Sequence, residues 1–403
     1  MPEGSRARRT ESRRVNLRAL LVPALLLACA ALAVADPASP WVARWTARPF
    51  HQPPLFLRFS PDARCLAVGA HARWAERVDG RIKVGDNALV VLDAANGRSS
   101  ARLSPCGEEL VDLAFTPDDS LAVIFNDRRG AQLRAEYDAR SWKVRRSGVL
   151  FSRPLAGPDS AFRAGEHGAF SADGRLFAAH YGRLEGEIVP PLRFVGRTVI
   201  WNTSDWHEQA VFERLPGADT ALMHLTADGR LLVDSPLEHG DREETIRYSV
   251  IEPVSRLIAP LYGLGADARL LATVNLWGPQ AANAVSPDGR WLVGAVVNNS
   301  AGSLLAWEID GGRAPEPRLR ALDRTPRLTR ARRYTAIAWS ADGSWMAAGM
   351  IDGTVRLWDG RTLELVQEVP PCGQSVTALG LSLDGRALAV ALEDGRIELF
   401  TRP

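Results

Sequence analysis

Apolar and polar positions recur along this chain in one cassette. Two or three apolar residues are followed by Ser or Thr, one residue, Asp, usually Gly, and then a second apolar run. The first example is Leu57-Arg58-Phe59-Ser60-Pro61-Asp62 leading to Cys65-Leu66-Ala67-Val68. The others are centred on Thr116-Pro117-Asp118, Ser171-Ala172-Asp173-Gly174, Thr226-Ala227-Asp228-Gly229, Ser286-Pro287-Asp288-Gly289, Ser340-Ala341-Asp342-Gly343 and Ser382-Leu383-Asp384-Gly385. The Asp residues lie 56, 55, 55, 60, 54 and 42 positions apart, which marks a repeat. Asp and Ser cap tight turns through their side chains and Gly accepts positive φ, so each cassette predicts a β-hairpin.

A third apolar strand follows in most units: Ala88–Asp93, Thr198–Trp201, Thr245–Tyr248, Leu304–Trp307, Thr354–Asp359 and Arg396–Phe400. A fourth alternates, as at Thr362–Val366, which suits a strand with one wet face. Four-stranded antiparallel units repeated in this way predict an all-β, seven-bladed β-propeller. The blades are expected at about 55–103, 110–148, 167–213, 220–260, 282–322, 334–368 and 375–400. The last unit has only three strands, so the alternating segment 41–46 is expected to complete it and remove two open edges. A further cassette-like stretch, Leu264–Leu271, is read as an elaboration between the fourth and fifth blades, with eight blades as the alternative count.

Trp339 to Asp359, with Asp352-Gly353 before the third strand and Trp358-Asp359 closing it, resembles the WD-repeat family. A similar resemblance extends to the periplasmic Tol-system type of propeller, and together they cover essentially residues 41–403. The Gly-His pair that opens many WD repeats is absent. Cys106-Gly107 and Cys372-Gly373 stand near those places, so the resemblance does not carry the family's His–Ser–Asp–Trp network over to any blade. The resemblance implies an interaction scaffold.

Residues 1–35 read as an export signal. Six Arg precede an uncharged run from Ala19 to Ala35, which ends in small residues before Asp36. The alternatives are acylation at Cys29, in a lipobox-like Leu26-Leu27-Ala28-Cys29, and retention as a membrane anchor. Arg13-Arg14 also resembles a twin-arginine motif, with Asn16 where Phe is usual. Any of these places residues 36–403 outside a bacterial cytoplasm, in the periplasm, attached to the envelope or secreted. Without the leader the formal charge falls from +2 to −2, which excludes a globally basic nucleic-acid binder.

The residues offer little chemistry. The seven His show no metal-ligand spacing, no nucleophile elbow is present, and the Gly residues sit in turns rather than in a phosphate loop. No catalytic, metal or cofactor site is expected. The inner strands (55–59, 111–115, 168–170, 221–225, 282–285, 337–339 and 377–381) are nearly all apolar, which argues against an enzyme or ligand carrier working in the channel. Trp201, Trp291, Trp307, Trp339 and Trp358 are expected to fill gaps between blades. Cys106 and Cys372 are expected to lie too far apart to pair, and Cys65 to be a small core residue.

Two features suggest partners. Long connections at 71–85, 150–166 and 181–196 are expected as loops on one rim, where a protein could bind. The run 311–333 carries Arg313, Arg318, Arg320, Arg324, Arg327, Arg330, Arg332 and Arg333 against Glu316 and Asp323, which suits an acidic surface. Nucleic acid is the weakest partner, because the run lacks interleaved aromatics. The expected protein is an exported, monomeric, non-enzymatic scaffold for unidentified proteins, touching a membrane only through an N-terminal lipid or anchor.

Overall fold

Each described cassette closes through its Ser or Thr hydroxyl. The hydroxyl of Ser60 donates to Asp62 at 2.6 Å and accepts from the Cys65 N–H at 2.9 Å. Ser171, Ser286 and Ser340 repeat both bonds, to Asp173, Asp288 and Asp342 and from Leu176, Trp291 and Trp345. Ser382 does the same with Asp384 and Ala387, while the Thr116 hydroxyl donates to Asp118 at 2.6 Å. The Asp carboxylate then accepts the N–H two residues on, as Asp288 does from Arg290 at 3.0 Å. The next position is left-handed, with φ 65° at Gly289; Ala63 and Asp119 hold the same conformation at 56° and 57°, at a steric cost that Gly avoids.

The computed structural model describes residues 40–70, 75–78, 81–84, 88–103, 109–127, 130–152, 163–185, 193–213, 223–226, 231–236, 245–251, 273–275, 282–298, 301–308, 319–323 and 333–402. They lie in the unit Pro40–Pro403. The chain folds as an all-β propeller of four-stranded antiparallel blades. Among the described residues there are seven four-stranded sheets and one two-stranded ribbon. Numbered along the chain by their inner strands, the sheets begin at Phe56–Phe59, Glu109–Thr116, Arg163–Phe170, Met223–Leu225, Asn283–Val285, Tyr334–Trp339 and Val376–Leu381. Each inner strand packs beside the next, and the last packs beside the first.

The seventh sheet is made from both ends of the chain. Val42–Ala47 pairs antiparallel with Ile397–Thr401, from Val42 opposite Thr401 to Ala47 opposite Ile397. Trp41 seats edge-on against Trp345 of the sixth sheet, with centroids 6.0 Å apart at 85°.

Burial explains why the middle strands are apolar on both faces. Leu66, Val68, Val90 and Leu92 of the first sheet join Ala389, Ile397 and Leu399 of the seventh in one core cluster. The intervening Ala67, Leu89 and Val91 join Leu113, Val123 and Phe125 of the second sheet in another. Further clusters join the second sheet to the third, the fifth to the sixth and the sixth to the seventh. Sheet-on-sheet contact is close: a Cβ at Gly69 would lie 2.5 Å from Leu110. All five expected Trp residues lie in strands; Trp201 sits in the second–third cluster, and Trp291 and Trp358 in the fifth–sixth.

Several boundaries differ from the sequence reading. The fourth sheet takes its outer strand from Thr273–Asn275, which pairs with Thr245–Ile251. This blade therefore runs past residue 260, and Leu264–Leu271, itself outside the described residues, falls within it rather than after it. The outer strand of the sixth sheet is Leu365–Val369; Thr362 and Leu363 belong to the turn in which the Leu363 N–H bonds to the Asp359 carbonyl.

Two expected rim loops carry strands. Leu176–Glu185 and Arg193–Asn202 stay paired out to Glu185 opposite Arg193, so 181–196 is largely a hairpin extending the third sheet. Ala75–Val78 and Arg81–Val84 form the separate ribbon within 71–85. Alternating residues on both sides of each tip supply a ladder that the sequence reading took for loop. Of the third connection, 150–166, residues 153–162 lie outside the described residues.

Candidate functional site

The inner strands carry polar groups that join neighbouring sheets. An extra residue interrupts the inner-strand register of the sixth sheet at Thr335 and of the seventh at Thr377. The freed Thr335 hydroxyl donates to the Val376 carbonyl at 2.6 Å, and Thr377 donates to the Pro54 carbonyl at 2.7 Å. A similar irregularity precedes Asp112 in the second sheet. This buried carboxylate accepts from Arg58 of the first sheet at 3.1 Å, from the Phe170 N–H of the third at 3.0 Å and from its neighbour Leu113. Burial pushes the Asp112 carboxyl above its ordinary range, against the pull of Arg58 and the two N–H groups. His224 pairs with Asn283 across the fourth and fifth sheets, and burial holds its ring below the usual range. The sequence reading of an apolar inner wall is therefore corrected at Arg58, Asp112, His224 and Asn283, where polar side chains act as inter-sheet ties.

His180, behind the third sheet's inner strand, shares a 2.8 Å hydrogen bond with Thr198 and is only 2% exposed. Burial lowers its pKa to about 4. Between that value and about 6.5 the unfolded chain binds a proton that the folded chain refuses, so stability rises with pH there. Acidification from pH 6.5 to 4 is expected to cost about 3 kcal/mol through this residue. Urea unfolding at several pH values should show that slope in the parent and a shallower one in His180→Gln.

Two ionic clusters sit further out. Arg356, in the third strand of the sixth sheet, bonds Asp323 at 2.7 Å and Glu368 at 2.8 Å. The Tyr334 hydroxyl donates to the same Asp323 at 2.9 Å and is pushed up by burial and by that carboxylate. In the second sheet the buried Glu136 pairs with Arg134 and Arg146, Arg146 also reaches the Ser204 carbonyl of the third sheet, and Arg134 lies over Trp206 at 4.8 Å. These charges were missed in the sequence, although Asp112, Glu136 and Arg356 each interrupt an apolar strand, which is a readable signal.

Of the Arg-rich run, Arg320 and Arg333 are among the described residues. Arg320 lies exposed on Leu319–Ala321, the outer strand of the fifth sheet, and donates to the Thr362 carbonyl. Arg333 precedes the sixth inner strand, where its carbonyl accepts from Ile351 at 3.0 Å. Arg313, Arg318, Arg324, Arg327, Arg330 and Arg332 lie outside the described residues, as do Cys29 and Cys106. Cys65 and Cys372 are free thiols; burial, then Glu398, pushes the Cys372 thiol up to about 12. Among the described residues no cluster of His, Cys, Asp or Glu could hold a metal ion.

A cleft of about 530 Å³ opens on the cassette-turn face, lined among others by Trp291, Trp339, Arg290, Arg361, Asp288 and Asp342.

Residues 331–359 match the family described as WD domain, G-beta repeat. The match covers the sixth sheet's inner strand, its cassette and the Trp358-Asp359 close. The sixth sheet thus carries a WD-type repeat, and the chain is similar to WD-repeat proteins over that stretch. The chain is also 29% identical over 123 residues to SEC12-like protein 1 of Arabidopsis thaliana, a stretch covering 30% of either chain. In the matched repeat the buried Trp358 indole N–H has no acceptor among the described residues. Asp352 and Asp359 cap their own turns, accepting from Thr354 and from Arg361 and Thr362.

Proposed function

We propose that this WD-repeat propeller is an exported, non-enzymatic, monomeric protein-binding scaffold, a closed ring of seven blades whose working surface is the rim bearing the two hairpins. WD propellers commonly serve as interaction scaffolds. The observation that carries the reading here is the extension of Leu176–Glu185 and Arg193–Asn202 past the length of ordinary blade strands, with the ribbon Ala75–Val84 as a second projection. Strands project a binding segment more rigidly than loops, which lowers the ordering cost of association. The inner-wall polar groups support the non-enzymatic reading, since Arg58, Asp112, Thr335 and Thr377 are spent on inter-sheet bonds.

The test is site-specific photo-cross-linking in the native envelope. Probes at Arg183 or Arg77 should capture a defined protein, a probe at Asp173 on the turn face should not, and replacing 186–192 with a short turn should abolish capture. Equal capture from both faces would reject this rim as the binding surface. The cleft beside Trp291 and Trp339 favours a second reading, a ligand carrier, which requires a small molecule to co-purify with the protein. A third reading, an acidic surface held by the Arg run 313–333, requires binding that weakens steeply with salt.

A further inference from the structure

Several arginines on this propeller are held by carboxylates, and four exposed ones near the N-terminal strand are not. Arg58, Arg134, Arg145, Arg146, Arg290, Arg356 and Arg396 each hold a carboxylate within 3.2 Å. Among the described residues, Arg44, Arg98 and Arg102 hold none. Arg44 donates to the Thr401 hydroxyl at 2.5 Å, and Arg102 donates to the Pro49 carbonyl at 3.2 Å and lies 5.9 Å from the Phe50 ring. Arg98 follows Gly97, against which Trp45 packs, and Trp45 donates from its indole to the Ala94 carbonyl at 2.8 Å. Arg48, also exposed, makes no ion pair among the described residues; it lowers the pKa of Asp394, a carboxylate that Arg396 already occupies.

Arg44 and Arg48 lie in and just after the N-terminal strand of the seventh sheet, and Arg98 and Arg102 just before and in the outer strand of the first, Ser99–Leu103; the Arg102–Pro49 and Trp45–Ala94 bonds join the two segments in one seam. The position of the seam matters. Val42 opens that strand, and the uncharged run Ala19–Ala35 ends seven residues before it. Seven residues span at most about 25 Å. A bilayer holding the end of the apolar run would therefore be within reach of this seam.

We propose that the seam of Arg44, Arg48, Arg98 and Arg102 docks on an anionic phospholipid surface, turning the propeller edge-on to the membrane. The docking rests on the reading of residues 1–35 as membrane-directed. One tether gives marginal attachment and a basic patch supplies the second contact. Headgroup phosphates suit guanidinium donors that no protein carboxylate occupies. Residue Val42, 46% exposed beside Arg44, adds apolar contact at the same edge.

The experiment uses the full chain with vesicles of phosphatidylcholine alone or with phosphatidylglycerol added, and nitroxide labels at Ser100 beside the seam or Val149 on the second sheet. Flotation with the zwitterionic vesicles reads the tether alone. Accessibility of the labels to an aqueous relaxation agent reads the seam. The label at Ser100 should become protected only with anionic lipid and be exposed again in about 0.5 M salt. It should also stay exposed in the variant R44Q/R48Q/R98Q/R102Q, while the label at Val149 stays exposed throughout. If the chain fails to float with zwitterionic vesicles, the tether reading fails. Partitioning to anionic vesicles then reads the seam directly, and the four-Arg variant should weaken it on the order of a thousandfold. Protection of both labels alike, or a four-Arg variant that behaves as the parent, overturns the proposal.

Discussion

Removing residues 40–47 is expected to destabilise the protein by more than about 5 kcal/mol, the largest effect of any change considered. The deletion strips the outer strand from the seventh sheet, exposing the ladder edge of Ile397–Thr401. It also removes Trp41, which is 7% exposed in the sixth–seventh core and edge-on to Trp345. Truncating a buried Trp alone costs about 3–5 kcal/mol, and the lost ladder bonds add to it. Trp41→Ala should accordingly show the smaller loss with strand pairing intact. Urea unfolding measures both, and a peptide of residues 40–48 added in trans should restore part of the deletion's loss. A deleted chain within 1 kcal/mol of the parent would mean that this strand does not close the fold.

Asp112→Ala is expected to cost about 3 kcal/mol. The carboxylate joins three sheets, and its loss leaves the Phe170 N–H without an acceptor and Arg58 without its partner. Arg58 is 42% exposed in its side chain and can rehydrate, so most of the cost should come from the orphaned N–H groups. The double variant R58A/D112A should therefore be nearly as unstable as D112A alone. Stability unchanged in D112A, measured by the same unfolding series, would remove the inner-wall tie from the account.

The propeller was legible because its cassette joins two signals at one place. The Ser-Xaa-Asp-Gly turn fixes where each hairpin bends, and the apolar run after it has no polar face because sheets cover both sides. Val42–Ala47 could be anticipated because the last unit lacked a strand. The outer strand Thr273–Asn275 could not, since three residues carry no periodicity. The hairpin 181–196 was read as a loop because Pro190-Pro191 and Gly196 are turn formers, although the flanking residues pair to Glu185 and Arg193. The polar ties escaped for a different reason. Arg58 and Asp112 lie 54 residues apart, and only closure of the inner strands brings them together. Thr335 and Thr377 look like ordinary strand residues until a bulge frees their hydroxyls.

The seventh sheet makes the chain a circle whose cut point is arbitrary. Residues 42 and 401 face each other across one ladder, so a short linker joining them would leave every sheet intact. New ends could then be opened between any two other blades. Such permuted chains would build their final blade without borrowing from the far end of the sequence, and should fold sooner, because the longest-range pairing would have become local.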